Sequence, residues 1–170
     1  RLLSRGLGDV YKRQGSNVFT SVDGFEGNTY NGRVPNDNTL AISNGGILIS
    51  CINSRYLVYD TNQDTVMESG YLNQFLVDAG IISSVSKYDP KLTYDPNEDR
   101  FILSFLVGNL YQNSKIVMAF SVSNNPVDGW NTYLFDGNAL GTNQWTDYPA
   151  MIVNQDEVFL TGNLLENNMS

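Results

Sequence analysis

The sequence predicts an all-β fold of about three four-stranded antiparallel sheets with one short helix. Short apolar runs alternate with clusters of Asn, Gly, Ser and Asp, a composition typical of strands joined by tight turns. A strand-turn-strand segment also recurs at intervals of roughly 55 to 60 residues. Finally, the clearest strand is apolar on both faces, which indicates a sheet with other structure packed against each of its two faces.

The recurring segment consists of a proline, an apolar strand, a turn and a returning strand. Its copies start at Pro35, Pro90 and Pro149, and their hairpins are predicted at 40–50, 92–105 and 151–161. In the first copy, "SNGG" supplies residues that accept positive φ. In the second, "DPNED" places Pro96 where a type I turn needs a fixed φ. Each copy is therefore predicted to be a β-hairpin.

Two further strands are predicted after the second hairpin, at 114–123 ("SKIVMAFSVS") and 130–135 ("WNTYLF"). One repeat is thus a four-stranded meander. In "KIVMAFSV" the residues of both alternating sets are apolar, so both faces of this sheet should be buried. Radial stacking of four-stranded sheets satisfies that requirement, and the sequence therefore predicts a partial β-propeller.

Propellers close with about four to eight sheets, and this chain has room for about three. We therefore expect a fragment whose partners include the remaining sheets of the propeller. The one predicted helix lies in "GYLNQFLVDAG", where Leu72, Phe75, Leu76 and Ala79 have helical spacing before Gly80. It is expected on the outside of the first sheet.

The basic stretch "SRGLGDVYKRQ" (4–14) resembles a translated transposase adapter of the kind used to prepare sequencing libraries. The alternative is a natural basic arm that binds nucleic acid. The resemblance implies that residues 1–14 are foreign to the fold and that residues 15–170 form the incomplete propeller domain, a gene piece recovered from metagenomic sequencing.

Charge and composition exclude several functions. The chain has ten basic and eighteen acidic residues, so nucleic acid and anionic membrane surfaces are unsuitable partners. No apolar run is long enough to insert into a membrane as a helix. Because there is no His, a Ser-His-Asp triad and His-ligated metals are excluded within this chain. Cys51, the single cysteine, is predicted to be a small buried hydrophobe on a strand.

Three segments resemble large secreted bacterial propeller proteins: "YDPKLTYDPNEDRFILSFL" (88–106), "KIVMAFSVSNNPVDGWNTYLF" (115–135) and "QWTDYPAMIVNQDEVFLTGNLL" (144–165). Such proteins often carry a C-terminal sorting domain. The resemblance implies a secreted, extracellular or cell-surface location and no fixed reaction. A fainter resemblance, through Ser123, Asn125 and Trp130, is to the Asp box of sialidase-like propellers, a device that clamps a hairpin. We therefore expect a structural role for these three residues.

The candidate site consists of carboxylates and aromatic side chains beside the repeat prolines. Asp37, Asp89 and Asp147 are expected at equivalent positions, ringing one rim of the central channel. They could supply the carboxylate pair of a glycoside hydrolase or simply cap the strand entries. The aromatic neighbours that could hold a glycan or protein ligand are Tyr88, Trp145 and Tyr148.

Two functions follow from this pattern. The favoured one is an extracellular glycan- or protein-binding and adhesion module, since the sequence offers a stacking surface but no identifiable catalytic pair. The alternative is a glycan-degrading enzyme, sialidase-like or another glycoside hydrolase. A sialidase would need three arginines around the substrate carboxylate. Arg33, Arg55 and Arg100 are not at equivalent positions, and Arg100 is expected to pair with Asp95 or Asp99.

No cofactor is expected, and the one exception is calcium, which one loop is considered to bind. Asp60, Asn62 and Asp64 alternate oxygen donors as a calcium loop does. However, Thr65 stands where glycine is needed, and Tyr71 stands where a bidentate glutamate is needed. An exposed polar turn therefore explains the same pattern with fewer requirements.

Overall fold

The structure is a computed structural model that describes residues 24–81 and 84–166. The adapter-like residues 1–14, and with them the predicted domain boundary, lie outside the described residues. The described part is mostly β, with one short α-helix and one turn of 3₁₀-helix at Pro126–Asp128. The strands and the helix, in chain order, are β1 (Thr39–Ile42), β2 (Ile47–Ile52), β3 (Arg55–Asp60), β4 (Thr65–Tyr71), α1 (Asn73–Asp78), β5 (Lys87–Asp95), β6 (Arg100–Val107), β7 (Lys115–Ser121), β8 (Trp130–Asp136), β9 (Gln144–Asn154) and β10 (Glu157–Glu166).

These strands form two four-stranded antiparallel meanders and a hairpin. Unit 1 has the order β1-β2-β3-β4, unit 2 the order β5-β6-β7-β8, and unit 3 consists of β9 and β10. The three predicted hairpins and the four-stranded meander are confirmed. The expectation of a third four-stranded sheet is wrong for the described residues, because β10 is followed there by no further strand. The units do not close into a ring within the described chain.

Unit 2 is buried on both faces, as its sequence predicts. Phe101, Leu103 and Phe105 of β6 face unit 1, where they join a core with Ile49 and Cys51 of β2. The alternate residues of β6 turn to the other side, towards unit 3, and β6 is buried from its second residue to its last. Burial of both faces explains why this strand is apolar throughout.

The helix α1 is confirmed, but its expected position outside the first sheet is wrong. Phe75 inserts between units 1 and 2, with ring centroids 5.2 Å from Tyr56, 6.1 Å from Phe105 and 5.1 Å from Trp130. Leu76 is fully buried beside it. The helix therefore fills the gap between two sheets, since its apolar side chains gain more burial there than on an outer surface.

The other face of unit 1 is covered by the described residues that precede β1. The ring of Phe25 stacks on Tyr59 at 3.7 Å. The amide of Asn28 donates to the carbonyl of Ser50 at 2.8 Å and to its hydroxyl at 3.1 Å. Unit 1, like unit 2, is thus a sheet with two covered faces.

A β-bulge interrupts the first strand of unit 2. Tyr88 pairs with Leu106 and Lys91 with Ser104, so Asp89 and Pro90 together stand opposite one residue. Asp89 has φ of 51°. The sequence predicted that the strand begins after the proline, but β5 begins three residues before it. A proline is tolerated inside the strand because the bulge leaves this position outside the hydrogen-bond ladder.

Unit 3 repeats this bulge at the same place. Asp147 pairs with Asn163 and Ala150 with Thr161, so Tyr148 and Pro149 stand opposite one residue. Tyr148 has φ of 48°, close to the value at Asp89. Tyr148 is therefore the structural equivalent of Asp89.

In unit 1 the equivalent residue is Asp37, with φ of 46°. The carbonyl of Asn36 accepts from the N–H of Asn53, and Thr39 pairs with Cys51. Asp37 and Asn38 therefore stand together opposite one residue, as in the other two bulges. The predicted alignment of Pro35 with Pro90 and Pro149 is therefore wrong by three residues. The proline-like position of unit 1 is Asn38.

Candidate functional site

The first strands of the three units lie side by side, with β1 packed against β5 and β5 against β9. Their bulges bring one group of side chains together, here named the rim cluster. Its members are Asp37, Tyr88, Asp89, Trp145, Asp147 and Tyr148. All six are the candidate site residues that the sequence predicted.

A chain of hydrogen bonds runs across the cluster through Asn53, which lies at the end of β2. The side-chain amide of Asn53 donates to the carbonyl of Pro35 at 3.0 Å and to the carboxylate of Asp37. Its oxygen accepts from the backbone N–H of Asp89 at 2.6 Å. One carboxylate oxygen of Asp89 then accepts from the backbone N–H of Tyr148 at 3.1 Å. These bonds link all three units at their bulges.

The carboxyl groups of Asp37 and Asp89 are within hydrogen-bonding reach of each other. The pKa of Asp89 is raised to about 6, first by burial and then by the hydrogen bond and charge of Asp37. The N–H of Tyr148 opposes this shift, because it stabilises the charged form. Asp89 is therefore a buried acid that holds a proton in mildly acidic solution.

Asp147 also lies near Asp89 and Tyr88, but it is one position along the repeat from where the sequence predicted it. The expectation that it is equivalent to Asp89 is wrong, since the bulge register aligns Asp147 with Tyr88. It nevertheless converges on the cluster. Burial raises the pKa of the Tyr88 hydroxyl, and the charges of Asp147 and Asp89 raise it further. That hydroxyl donates to the carbonyl of Gly108 at 2.7 Å.

The aromatic members form the more open part of the cluster. Tyr88 and Trp145 make an edge contact, with ring centroids 6.4 Å apart. Tyr148 is 62% exposed, and the ammonium of Lys91 lies 5.0 Å from the centre of its ring. Trp145, three residues earlier on the same strand, is partly exposed. This arrangement can stack against a planar or sugar-like surface while the nearby carboxylates accept hydrogen bonds.

Two participants were not predicted from the sequence, Asn53 and Lys91. Asn53 is buried at 7% exposure and follows the apolar run "ILISCI". The signal in the sequence was a polar residue directly after a buried strand, because a buried side-chain amide must find hydrogen-bond partners. Lys91 carried no such signal, since only the tertiary structure brings Tyr148 beneath it.

The loop considered for calcium uses its carboxylates within its own turn. One oxygen of Asp60 accepts from the backbone N–H groups of Asn62 at 2.8 Å and Gln63 at 3.1 Å. Asp64 accepts from the hydroxyl of Tyr59, and the side-chain amide of Asn62 donates to a backbone carbonyl. The arrangement is an Asx turn in which one oxygen of each aspartate accepts a hydrogen bond from within the turn.

The same turn occurs at the end of β5. There Asp95 accepts from the N–H groups of Asn97 and Glu98, and the hydroxyl of Tyr94 donates to Asp99. "YDTNQD" and "YDPNED" are thus one local motif used twice. Among the described residues there is no group of three acidic or cysteine side chains that could hold a metal ion.

The arginines do not assemble a carboxylate-binding group. Arg55 lies over the ring of Tyr71 at 5.2 Å, at the end of unit 1 where β3 begins. Arg100 pairs with Asp95 in the β5–β6 ladder, at the far end of unit 2 from the bulge.

The expected ion pair of Arg100 with Asp95 or Asp99 is wrong. Its guanidinium lies 3.5 Å from Glu98 and also donates to the Glu98 carbonyl. Both aspartates accept hydrogen bonds within the turn, so the guanidinium of Arg100 pairs with the exposed carboxylate of Glu98 instead.

The Asp-box-like residues stabilise the turn before β8, as expected. The hydroxyl of Ser123 accepts from the N–H of Asn125 at 3.0 Å and contacts the Asp128 carboxylate at 2.6 Å. The Asn125 side chain accepts from the N–H of Val127 and so caps the 3₁₀ turn Pro126–Asp128. Trp130 follows and packs against α1.

Comparison with family models, with curated proteins and with solved structures gives no match for this chain. Within the described residues, no helix has the length and apolar character to cross a membrane.

Proposed function

We propose that this chain is part of a secreted or cell-surface β-propeller protein and that its rim cluster binds glycan. The propeller is supported by the stacking of successive meanders, with their first strands adjacent and the same bulge at each. Further units stacked in the same way would complete the ring.

The observation that carries the binding proposal is the exposed ring of Tyr148, on the same strand as Trp145 and Asp147. An aromatic ring that is 62% exposed offers a flat apolar surface, on which the C–H face of a sugar stacks. Carboxylates at the border of such a surface accept hydrogen bonds from hydroxyl groups. The described chain is strongly acidic, so neutral or amino sugars fit this surface better than acidic ones.

A glycan-degrading enzyme is the second candidate, because the pKa of Asp89 of about 6 suits a general acid. Two facts weigh against it. The carboxyl groups of Asp37 and Asp89 are engaged with each other, whereas the two carboxyl groups of a glycosidase flank the scissile bond. Asp89 is also buried at 8% exposure and already accepts a backbone hydrogen bond. Asp37 and Asp89 therefore serve the structure better than they would serve hydrolysis.

Affinity electrophoresis tests the binding proposal in gels that contain a neutral, an amino-sugar or an acidic polysaccharide. We expect the neutral or amino-sugar gel to retard the chain and the variants Tyr148→Ala and Trp145→Ala to lose that retardation. Tyr71→Ala is the matched control, because Tyr71 is 61% exposed and also carries a cation, Arg55, over its ring.

Equal loss of retardation in Tyr71→Ala, or no retardation of the parent in any gel, would overturn the proposal. Release of reducing sugar from the retarding polysaccharide, abolished in Asp89→Asn, would favour the enzyme instead.

A further inference from the structure

The bulge of unit 2 differs from the other two bulges in the residues that form it. Each bulge begins with a residue of positive φ, and these residues are Asp37 (46°), Asp89 (51°) and Tyr148 (48°). The residues that follow them are Asn38, Pro90 and Pro149. Of the three described bulges, only that of unit 2 therefore places a carboxyl side chain directly before a proline.

The fold holds the peptide bond between Asp89 and Pro90 in a strained stretch of backbone. A residue before a proline prefers an extended conformation, because the proline ring crowds it. Asp89 has positive φ instead, and a residue other than glycine keeps that conformation only where its surroundings enforce it. Here the ladder pairs of Tyr88 and Lys91 fix the chain on both sides of the bond, and Pro90 is fully buried.

The carboxyl group of Asp89 is a neighbour of this bond in the covalent structure, and it is protonated in mildly acidic solution. Its pKa is raised to about 6, first by burial and then by the hydrogen bond and charge of Asp37. An oxygen of an aspartate side chain reaches the carbon of its own backbone carbonyl by closing an anhydride ring, and such intramolecular attack is strongly favoured over attack from solution. The protonated group also carries the proton that a leaving amine needs.

We propose that the peptide bond between Asp89 and Pro90 cleaves itself in mildly acidic solution, with the carboxyl group of Asp89 as nucleophile and proton donor. One oxygen of this carboxyl group forms a bond to the carbon of the Asp89 carbonyl. The bond from that carbon to the nitrogen of Pro90 breaks, and the nitrogen keeps the electron pair and receives the carboxyl proton. Water then opens the cyclic anhydride to two carboxyl groups, so the products are residues 1–89 and residues 90–170.

Mass spectrometry of the full chain, incubated near pH 5 with and without urea, tests the proposal. We expect this bond to cleave about tenfold faster in the folded chain than in urea. The reason is that a carboxyl group with a pKa of about 6 is mostly protonated near pH 5, whereas an unfolded aspartate with a pKa of about 3.9 is mostly charged. Two other bonds are internal controls, since Asp95 precedes Pro96 without positive φ and Tyr148 precedes Pro149 without a carboxyl group. Neither control bond should cleave faster in the folded chain than in urea.

Three variants identify the groups that act. Asp89→Asn removes the nucleophile but keeps an oxygen that accepts from the N–H of Tyr148, so this variant should stay folded and uncleaved. Asp37→Asn should slow cleavage severalfold near pH 5 and much less near pH 4, because the charge of Asp37 helps to keep Asp89 protonated. Asp147→Asn is the matched control and should change the rate little, since the charge of Asp147 is the last of the causes that act on Asp89.

Hydroxylamine detects the intermediate, because it converts an anhydride to a hydroxamate at Asp89 before water opens the ring. Equal rates of cleavage before Pro90 in the folded chain and in urea, or cleavage that persists in Asp89→Asn, would overturn the proposal. A cleaved product without hydroxamate would also overturn it, since water or a contaminating protease would then have cut the bond directly.

Discussion

Replacing Asp89 with Asn should stabilise this protein, although most substitutions of buried polar residues destabilise. Asp89 is buried, its pKa is raised to about 6, and its neighbour Asp37 is a second carboxyl group. Asn keeps an oxygen that accepts from the N–H of Tyr148 and gains an N–H₂ group that can donate to Asp37. It also tolerates the positive φ of 51° at this position.

The magnitude follows from the pKa values. An aspartate in an unfolded chain has a pKa of about 3.9, so the shift to about 6 corresponds to roughly 3 kcal/mol against the charged form. Because the folded-state pKa is the higher one, the folded protein binds more protons than the unfolded chain between about pH 4 and pH 6. The free energy of unfolding therefore decreases as pH rises through this range, and the full cost of about 3 kcal/mol is present above pH 7.

Urea unfolding, followed by tryptophan fluorescence near pH 5 and near pH 8, measures this effect. We expect Asp89→Asn to exceed the parent by about 3 kcal/mol near pH 8 and by about half as much near pH 5. Asp147→Asn is the control, since the charge of Asp147 acts on Asp89 only as the last of the causes that raise its pKa. If Asp89→Asn is less stable than the parent near pH 8, or its advantage is the same at both pH values, the charge argument is wrong.

Three further predictions concern the core and the junction between units. In the same urea titration, Phe75→Ala should lower the free energy of unfolding by about 3 to 5 kcal/mol, because it removes the side chain that fills the contact between units 1 and 2. Val77→Ala, on the exposed side of the same helix, should lower it by well under 1 kcal/mol. Cys51, which is fully buried and whose pKa burial raises to about 12, should react with a thiol reagent only after unfolding; rapid reaction of the native chain would contradict its position in the core. Asn53→Ala should lower the free energy of unfolding by about 2 to 4 kcal/mol, because it leaves the N–H of Asp89 without its acceptor. A loss below about 0.5 kcal/mol would show that the hydrogen bond between Asn53 and Asp89 contributes little to stability.

The function of the rim cluster is separable from this stability. The carboxylate of Asp37 accepts a hydrogen bond from Asn53 and that of Asp89 accepts one from the N–H of Tyr148, whereas the ring of Tyr148 is open to solvent. We therefore expect variants at Asp89 to change unfolding and variants at Tyr148 to change glycan retention.

The sequence by itself determined the elements whose causes are local. The hairpin turns follow from residues such as Pro96, and the repeated "YDxNxD" turn satisfies its own backbone within a few residues. The helix follows from the spacing of Leu72, Phe75 and Leu76, and the two-faced strands follow from their unbroken apolar character. In each case the deciding interactions join residues that are near one another in the chain.

Only the tertiary structure decided the features that depend on distant residues. The sequence aligned Asp147 with Asp89, but bulge register aligns Tyr148, because register depends on pairing with a strand more than ten residues away. The position of α1 between two sheets depends on which surface offers most burial once both sheets exist. The pKa of Asp89 is likewise raised first by burial and then by Asp37, an aspartate of another unit, and no local pattern encodes either.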